Sequence, residues 1–223
     1  MDDITATIKE AAEAGKKIVV LVDDAYFGLV FEDNIAQESI FAYISNLHTN
    51  VLAVKIDGAT KEDYVWGFRV GFITYAIKGG DADLYQAMEM KTAGAVRGNI
   101  SNAPNLSQSL LLQAFESPDY KQEKKSKFLL MKARYQAIKD ILVDEKYAAY
   151  FTALPYNSGY FMCVQLKAGL DGEAIREILI KKYSIGIINL NNVLRVAFAA
   201  MNATDAKELF DGMLAACKDY DNR

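Results

Sequence analysis

The chain has 223 residues, 52% hydrophobic and 24% charged, with 14 glycines and 3 prolines, which suits one or two folded domains and excludes a disordered or fibrous protein. With 25 Lys and Arg against 29 Asp and Glu the net charge is −4, so no overall positive field draws nucleic acid or anionic lipid, and neither is expected as a partner. No apolar run reaches membrane-span length and the first ten residues lack a signal-peptide pattern. The two well-separated cysteines, Cys163 and Cys217, argue neither a disulfide framework nor a metal site, so a cytoplasmic protein with reduced thiols and no metal is expected.

Ile4, Ile8, Ala11 and Ala12 recur at helical spacing, and Gly15 followed by Lys16 and Lys17 closes that first helix. Residues 18–22 form a short, wholly apolar run. Set between that helix and an amphipathic segment carrying Ala36, Ile40, Tyr43, Ile44 and Leu47, the run predicts a strand buried on both faces of a parallel sheet. A second strand is predicted over residues 51–56. A third is predicted over 68–76, with Phe68, Val70 and Phe72 on one face and Arg69, Gly71 and Ile73 on the other. From Asp81 the pattern is helical, with breaks at residues 101–105 and at Ser117-Pro118, and then a long periodic segment runs to about Leu142. The rest reads as a strand (160–166), a helix with Ile175, Ile178 and Leu179, strands at 185–188 and 193–199, and a closing helix with Ala206, Leu209, Phe210 and Met213. A second, smaller domain is expected to begin near Met131. His48 is the single histidine, so any histidine-based catalysis would run through it; it lies in a predicted loop with no partner in view.

Chemistry-bearing residues gather where predicted strands end. The first strand runs into Asp23-Asp24-Ala25-Tyr26, a carboxylate and a phenol three positions apart, at the C-terminal edge where open α/β sheets bind ligands. The second runs into Gly58-Ala59-Thr60-Lys61. Eight residues on, Arg69 sits in Gly67-Phe68-Arg69-Val70-Gly71. Singly, each is usually a turn or cap residue or a solvated surface charge. Arg195 lies in the last strand, where Leu194, Val196 and Phe198 point one way and leave Arg195 to point the other; periodicity alone leaves ligand binding and a surface position open.

The ordered set resembles the class I/II aminotransferases, pyridoxal-phosphate enzymes of fold type I. The Asp-x-x-Tyr strand end, Thr60-Lys61 and the Gly-x-Arg-x-Gly stretch carry the resemblance. So do Arg97-Gly98-Asn99-Ile100-Ser101-Asn102-Ala103-Pro104, Ser158-Gly159-Tyr160-Phe161 and the strand from Asn192 to Ala197. It implies an α/β fold: the C-terminal part of the cofactor-binding large domain, three-layer α/β/α with an incomplete sheet (residues 1–130), and the α+β small domain (131–223). Members run to about twice this length, and the resemblance covers their C-terminal half.

The resemblance further implies pyridoxal 5′-phosphate as cofactor, an amino acid and a 2-oxo acid as substrates, and a homodimer. Lys61 would form the Schiff base and then move the proton between the substrate's α-carbon and the cofactor. Asp23 would keep the pyridine nitrogen protonated, Tyr26 would donate to the ring's phenolic oxygen, and Arg69 would hold the phosphate. Thr60 and Ser101 are further phosphate candidates. Arg195 would grip the substrate α-carboxylate, and Arg97 matches an arginine that reaches a distal carboxylate across the dimer. One departure stands out: Gly58 occupies the place where the family commonly has a phosphate-binding serine. The alternatives are a non-catalytic fragment or dimerising module of this fold, and a related pyridoxal-phosphate lyase or decarboxylase.

Overall fold

The computed structural model describes residues 1–222. They form two compact units, Met1–Leu29 with Asn34–Lys124, and Val30–Asp33 with the described residues from Lys125 onward.

In the first unit, α1 (Asp2–Glu13) ends as its sequence dictates: Gly15 takes φ 86°, and the Gly15 and Lys16 amides donate to the Ala12 and Ala11 carbonyls. Strand β1 (Ile18–Asp23) follows, then the short α2 (Ile40–Ile44) and β2 (Val51–Asp57). The amphipathic segment around Ala36 thus yields a helix of only five residues, because the Ser39 side chain accepts from the Phe41 amide and starts the helix there. β1 and β2 pair in parallel, Ile18 opposite Val51 and Asp23 opposite Ile56, while β3 (Phe72–Ile77) lies antiparallel on the other side of β2. One face of this sheet is a core: Val22 and Ala53 with Ile44 of α2, flanked by Ile8, Val20, Phe41 and Ala76.

The expectation that β1 is buried on both faces is not met. β1 is an edge strand, and on its other face Val19 and Leu21 are 61% and 67% exposed. Its apolar run reflects β propensity on both faces, but in this chain only the face toward α1 and α2 is covered. The third strand is also shorter than its alternation suggests. Residues 66–68 form a 3₁₀ turn, Arg69 adopts a left-handed conformation at φ 55°, and pairing starts at Phe72. Two helices complete the unit, α4 (Ala82–Asn99), begun by the Asp81 side chain accepting from the Leu84 amide, and α5 (Asn105–Glu116); between β2 and β3 lies the single turn α3 (Ala59–Glu62).

Helix α6 (Tyr120–Leu142) runs from the first unit into the second, followed by α7 (Glu145–Ala148) and β4 (Phe151–Ala153). Then come β5 (Met162–Leu166), α8 (Gly172–Tyr183), β6 (Ile188–Leu190), β7 (Val193–Val196) and α9 (Ala206–Asp221). The sheet is antiparallel in the order β4-β5-β7-β6. β6 and β7 are displaced or shortened relative to the sequence reading: residues 185–187 stay outside the ladder, and after Val196 the chain turns into a 3₁₀ segment, Phe198–Ala200, that drops Phe198 into the core. Strand β5 likewise starts at Met162, two residues later than read. The Val30–Asp33 segment joins this unit because the Phe31 amide donates to the Asn157 carbonyl and the Phe31 ring packs 5.2 Å from Tyr135 and 6.2 Å from Phe198.

Candidate active site

The parallel pair β1 and β2 delivers its two C-terminal ends side by side. The Asp24 amide donates to the Ile56 carbonyl, so the turn after β1 starts where β2 ends. Within that turn the Ala25 amide donates to Asp23 Oδ1, and the Phe27 amide to the Asp24 carbonyl. This brings Tyr26 round to Lys61, whose Nζ lies 4.7 Å from the centre of the Tyr26 ring, a cation–π distance. Asp23 is exposed at the strand end, and Tyr26 and Lys61 are half-buried.

The backbone between Lys61 and Arg69 is drawn in by a close crossing. Gly58 packs so tightly on the segment that leads into β3 that a Cβ would come 2.6 Å from both Gly71 Cα and the Val70 carbonyl oxygen. Glycine therefore stands where the resembled family has serine for a steric reason: a side chain there would meet backbone. Two residues on, the Thr60 hydroxyl donates to the Val70 carbonyl at 3.1 Å. Its one hydrogen is thereby committed to the loop, and Thr60 would have to release that carbonyl to serve an anion. What the crossing presents outward is Arg69, exposed and left-handed next to buried Val70, which packs with Ala59 and Leu111. A non-glycine residue held at positive φ marks a constraint imposed by surrounding structure.

The side of the turn beyond Lys61 is tied to α6. Lys124 Nζ lies 2.9 Å from Asp63 Oδ1, 3.0 Å from Glu62 Oε1 and 3.2 Å from Tyr120 Oη, and the Tyr120 hydroxyl donates to Asp63. Burial opposes the charge on Lys124, but hydrogen bonds to Asp63, Glu62 and Tyr120 outweigh it and raise its pKa. Burial also pushes the Tyr64 phenol up to about 12. A second ion cluster supports the turn after β1: Lys55 pairs with Asp57 and lies 4.0 Å from Asp24, with its ammonium 4.9 Å from the Phe27 ring centre. Neither lysine was singled out from sequence. Lys55 left one signal, a lone cation inside an apolar strand; Lys124 left none, since lysines crowd its helix.

The remaining candidates fall elsewhere. Arg97 and Ser101 meet each other, the guanidinium donating to the hydroxyl at 2.8 Å where α4 ends, with Ser101 left-handed at φ 69°. Arg195 belongs to the second unit. It sits on β7 opposite Cys163 and Ile188, between buried Leu194 and Val196, with its guanidinium 4.5 Å over the Phe161 ring. Stacked in this way, a guanidinium keeps its planar edge of donors for a carboxylate. His48 has a local role, its Nδ1 accepting from the Asn50 amide ahead of β2. Among the described residues no cluster of His, Cys, Asp and Glu suits a metal, and no helix is long and apolar enough to cross a membrane.

The family model for aminotransferase class I and II matches residues 5–212. No curated protein matches the chain. Among solved structures, an aminotransferase from Anaerococcus prevotii is similar at 24% identity and a TM-score of 0.77, over 97% of this chain and 51% of that one. The kynurenine aminotransferase of Pyrococcus horikoshii is similar at 18% and 0.74, over 97% and 52%. LysN, an α-aminoadipate aminotransferase from Thermus thermophilus solved with N-(5′-phosphopyridoxyl)-L-leucine, is similar at 18% and 0.73, over 98% and 54%. These likenesses show the fold, and the chain spans about half the length of the structures it matches.

Proposed function

The chain belongs to the aminotransferase class I and II family, and on that premise we propose that it carries the lysine, the ring-nitrogen carboxylate and the phosphate-binding arginine of a pyridoxal-phosphate-dependent aminotransferase. The reading is carried above all by the meeting of Lys61 with Tyr26 at the joint C-terminal edge of two parallel strands. An amine, a phenol, a carboxylate and an exposed guanidinium at that edge are the donor set that suits an anionic pyridine aldehyde, and the Gly58–Gly71 crossing turns Arg69 outward to meet an anion.

When bound, the cofactor supplies an aldehyde and a ring that takes up the electron pair left by a departing α-proton. The chain's own residues do the rest. Lys61 would hold the cofactor through its amine, and its Nζ would be the group that takes and returns the substrate's α-proton. Asp23 would accept a hydrogen bond from the protonated ring nitrogen and stabilise its positive charge, and Tyr26 would donate to the ring oxygen. Arg69 takes the phosphate as a permanently charged planar donor, with Thr60 and Ser101 as lesser phosphate candidates. Arg195 grips the substrate's α-carboxylate, and Arg97 serves a distal one. Residues 131–223 form the family's small domain. The whole protein exchanges an amino group between an amino acid and a 2-oxo acid as a cytoplasmic homodimer.

Titration of the chain with pyridoxal phosphate, followed by visible absorbance, tests this. An imine band present in the parent and lost in Lys61→Ala is expected; no band at saturating cofactor overturns the reading for this chain. The exposed apolar face of β1 favours a second reading, in which the 223 residues act only with further polypeptide laid on that face. Release of ammonia or carbon dioxide in place of a new amino acid would point to lyase or decarboxylase chemistry.

A further inference from the structure

Resting on the reading of Lys61 as the amine that meets the cofactor, we propose that Tyr120 and Lys124 of α6 are positioning residues for Lys61. Helix α3 is one turn of four residues, too short to hold itself, because a single helical turn fixes several dihedrals for few hydrogen bonds. Its own contribution is the Asp63 amide to the Ala59 carbonyl at 3.1 Å and the Tyr64 amide to the Lys61 carbonyl at 3.2 Å, after which Tyr64 swings to φ 61°. The orientation of Lys61 is therefore set by what grips the turn from outside.

Polar contacts hold the turn on both sides of Lys61, beside the packing of Ala59 on Val70 and Leu111. The preceding residue, Thr60, is tied to Val70. The two following residues, Glu62 and Asp63, are tied to α6 through Lys124 and Tyr120, some sixty residues on in the chain. An ammonium has three hydrogens, and Lys124 has three acceptors within 3.2 Å, one from each of Glu62, Asp63 and Tyr120. The Asp63 side chain is only 9% exposed, so its carboxylate cannot exchange these partners for water without moving the backbone that carries Lys61. Removing the cation leaves two carboxylates and a phenol to rearrange, and the turn rearranges with them. The distribution of functions is thus one residue that reacts and two, on a different element, that aim it.

The experiment uses the full chain and pyridoxal phosphate as probe. The lysine nitrogen adds to the aldehyde carbon and water leaves; borohydride then delivers hydride to that carbon and solvent a proton to the nitrogen, fixing the cofactor on whichever lysine held it. Peptide mass spectrometry reads the ratio of label on Lys61 to label on exposed Lys9 and Lys181 in the same molecule. The parent is expected to favour Lys61, Lys124→Met and Tyr120→Phe to lower the ratio about tenfold, as loss of a hydrogen bond to a charged group would, and Lys124→Arg to restore most of it. Thermal melting is followed alongside. If Lys124→Met fails to fold, Tyr120→Phe, which removes one hydroxyl, decides. A lowered melting temperature with an unchanged ratio makes the pair merely structural and overturns the proposal while Lys61 keeps its role. A parent with no preference for Lys61 overturns the functional reading and this proposal together.

Discussion

Replacing Gly58 by alanine tests the crossing that shapes the candidate site. An added Cβ would lie 2.6 Å from Gly71 Cα, 2.6 Å from the Val70 oxygen and 3.3 Å from the Gly71 nitrogen. Comfortable carbon contacts are about 3.5–4.0 Å, so roughly 1 Å must open between two backbone segments. Neither can yield by rotating a side chain, because Gly71 has none. Overpacking of this kind costs about 1–3 kcal/mol, and a backbone-on-backbone clash belongs at the upper end. Against it, alanine restricts the unfolded chain, worth about 0.4–1 kcal/mol, and φ of 160° at Gly58 is extended backbone that alanine adopts without strain. The net loss is about 2 kcal/mol, which for a protein of this size lowers the melting temperature by about 4–8 °C. Scanning calorimetry on parent and Gly58→Ala measures it. Gly58→Ser is expected to lose at least as much, although serine is the residue the resembled family places there. A melting temperature within about 1 °C of the parent would show that the crossing is not tight and would remove the steric account of Gly58.

Phe198→Ala empties a site that is 0% exposed, with its ring edge-on to Phe31 and Tyr135, and is expected to cost about 3–5 kcal/mol in denaturant unfolding; a loss below about 1 kcal/mol would contradict the packing. Asp171 accepts from the Glu173 and Ala174 amides at 2.9 Å each, so Asp171→Ala should destabilise by about 1 kcal/mol and Asp171→Asn by much less, again read from unfolding midpoints. Burial pushes the Cys217 thiol up to about 12 from 9.0. The folded state therefore holds that proton more tightly than the unfolded one, and this contribution to stability is intact below pH 9.0 and is lost as pH rises toward 12. The alkaline fall in the unfolding midpoint should be shallower in Cys217→Ala, and native alkylation should reach Cys163 before Cys217; equal rates for the two thiols would refute the burial argument.

Much of the first unit could be read from residues near each other in the chain. The glycine closure at Gly15, the apolar runs that became β1 and β2, and the polar residues at their C-terminal ends all announce themselves within a few positions, because capping and strand propensity act locally. The facing of Arg195, opposite to Leu194 and Val196, was legible in the same way, since alternation is a local property of β7. Where local pattern misled, a distant contact had won. Phe68, Val70 and Phe72 alternate like a strand, yet the crossing of Gly71 over Gly58 and the Thr60–Val70 bond turn Arg69 left-handed and delay pairing until Phe72. Residues 198–199 alternate with β7, but burial of Phe198 ends the strand.

The sequence by itself placed the candidate residues Asp23, Tyr26 and Lys61 just at or beyond the ends of β1 and β2, because strand propensity and turn residues depend on neighbours a few positions away. It did not determine what holds them. The grip of Lys124 and Tyr120 on the turn after Lys61, the Lys55 cluster under the turn after β1, and the stacking of Arg195 on Phe161 join residues remote in the chain, or set by strand register, whose pairing leaves no periodic trace. The exposure of Val19 and Leu21 was decided in the same way: the apolar run is identical whether or not another strand or helix lies beside it, and only the folded arrangement shows which face of β1 is covered.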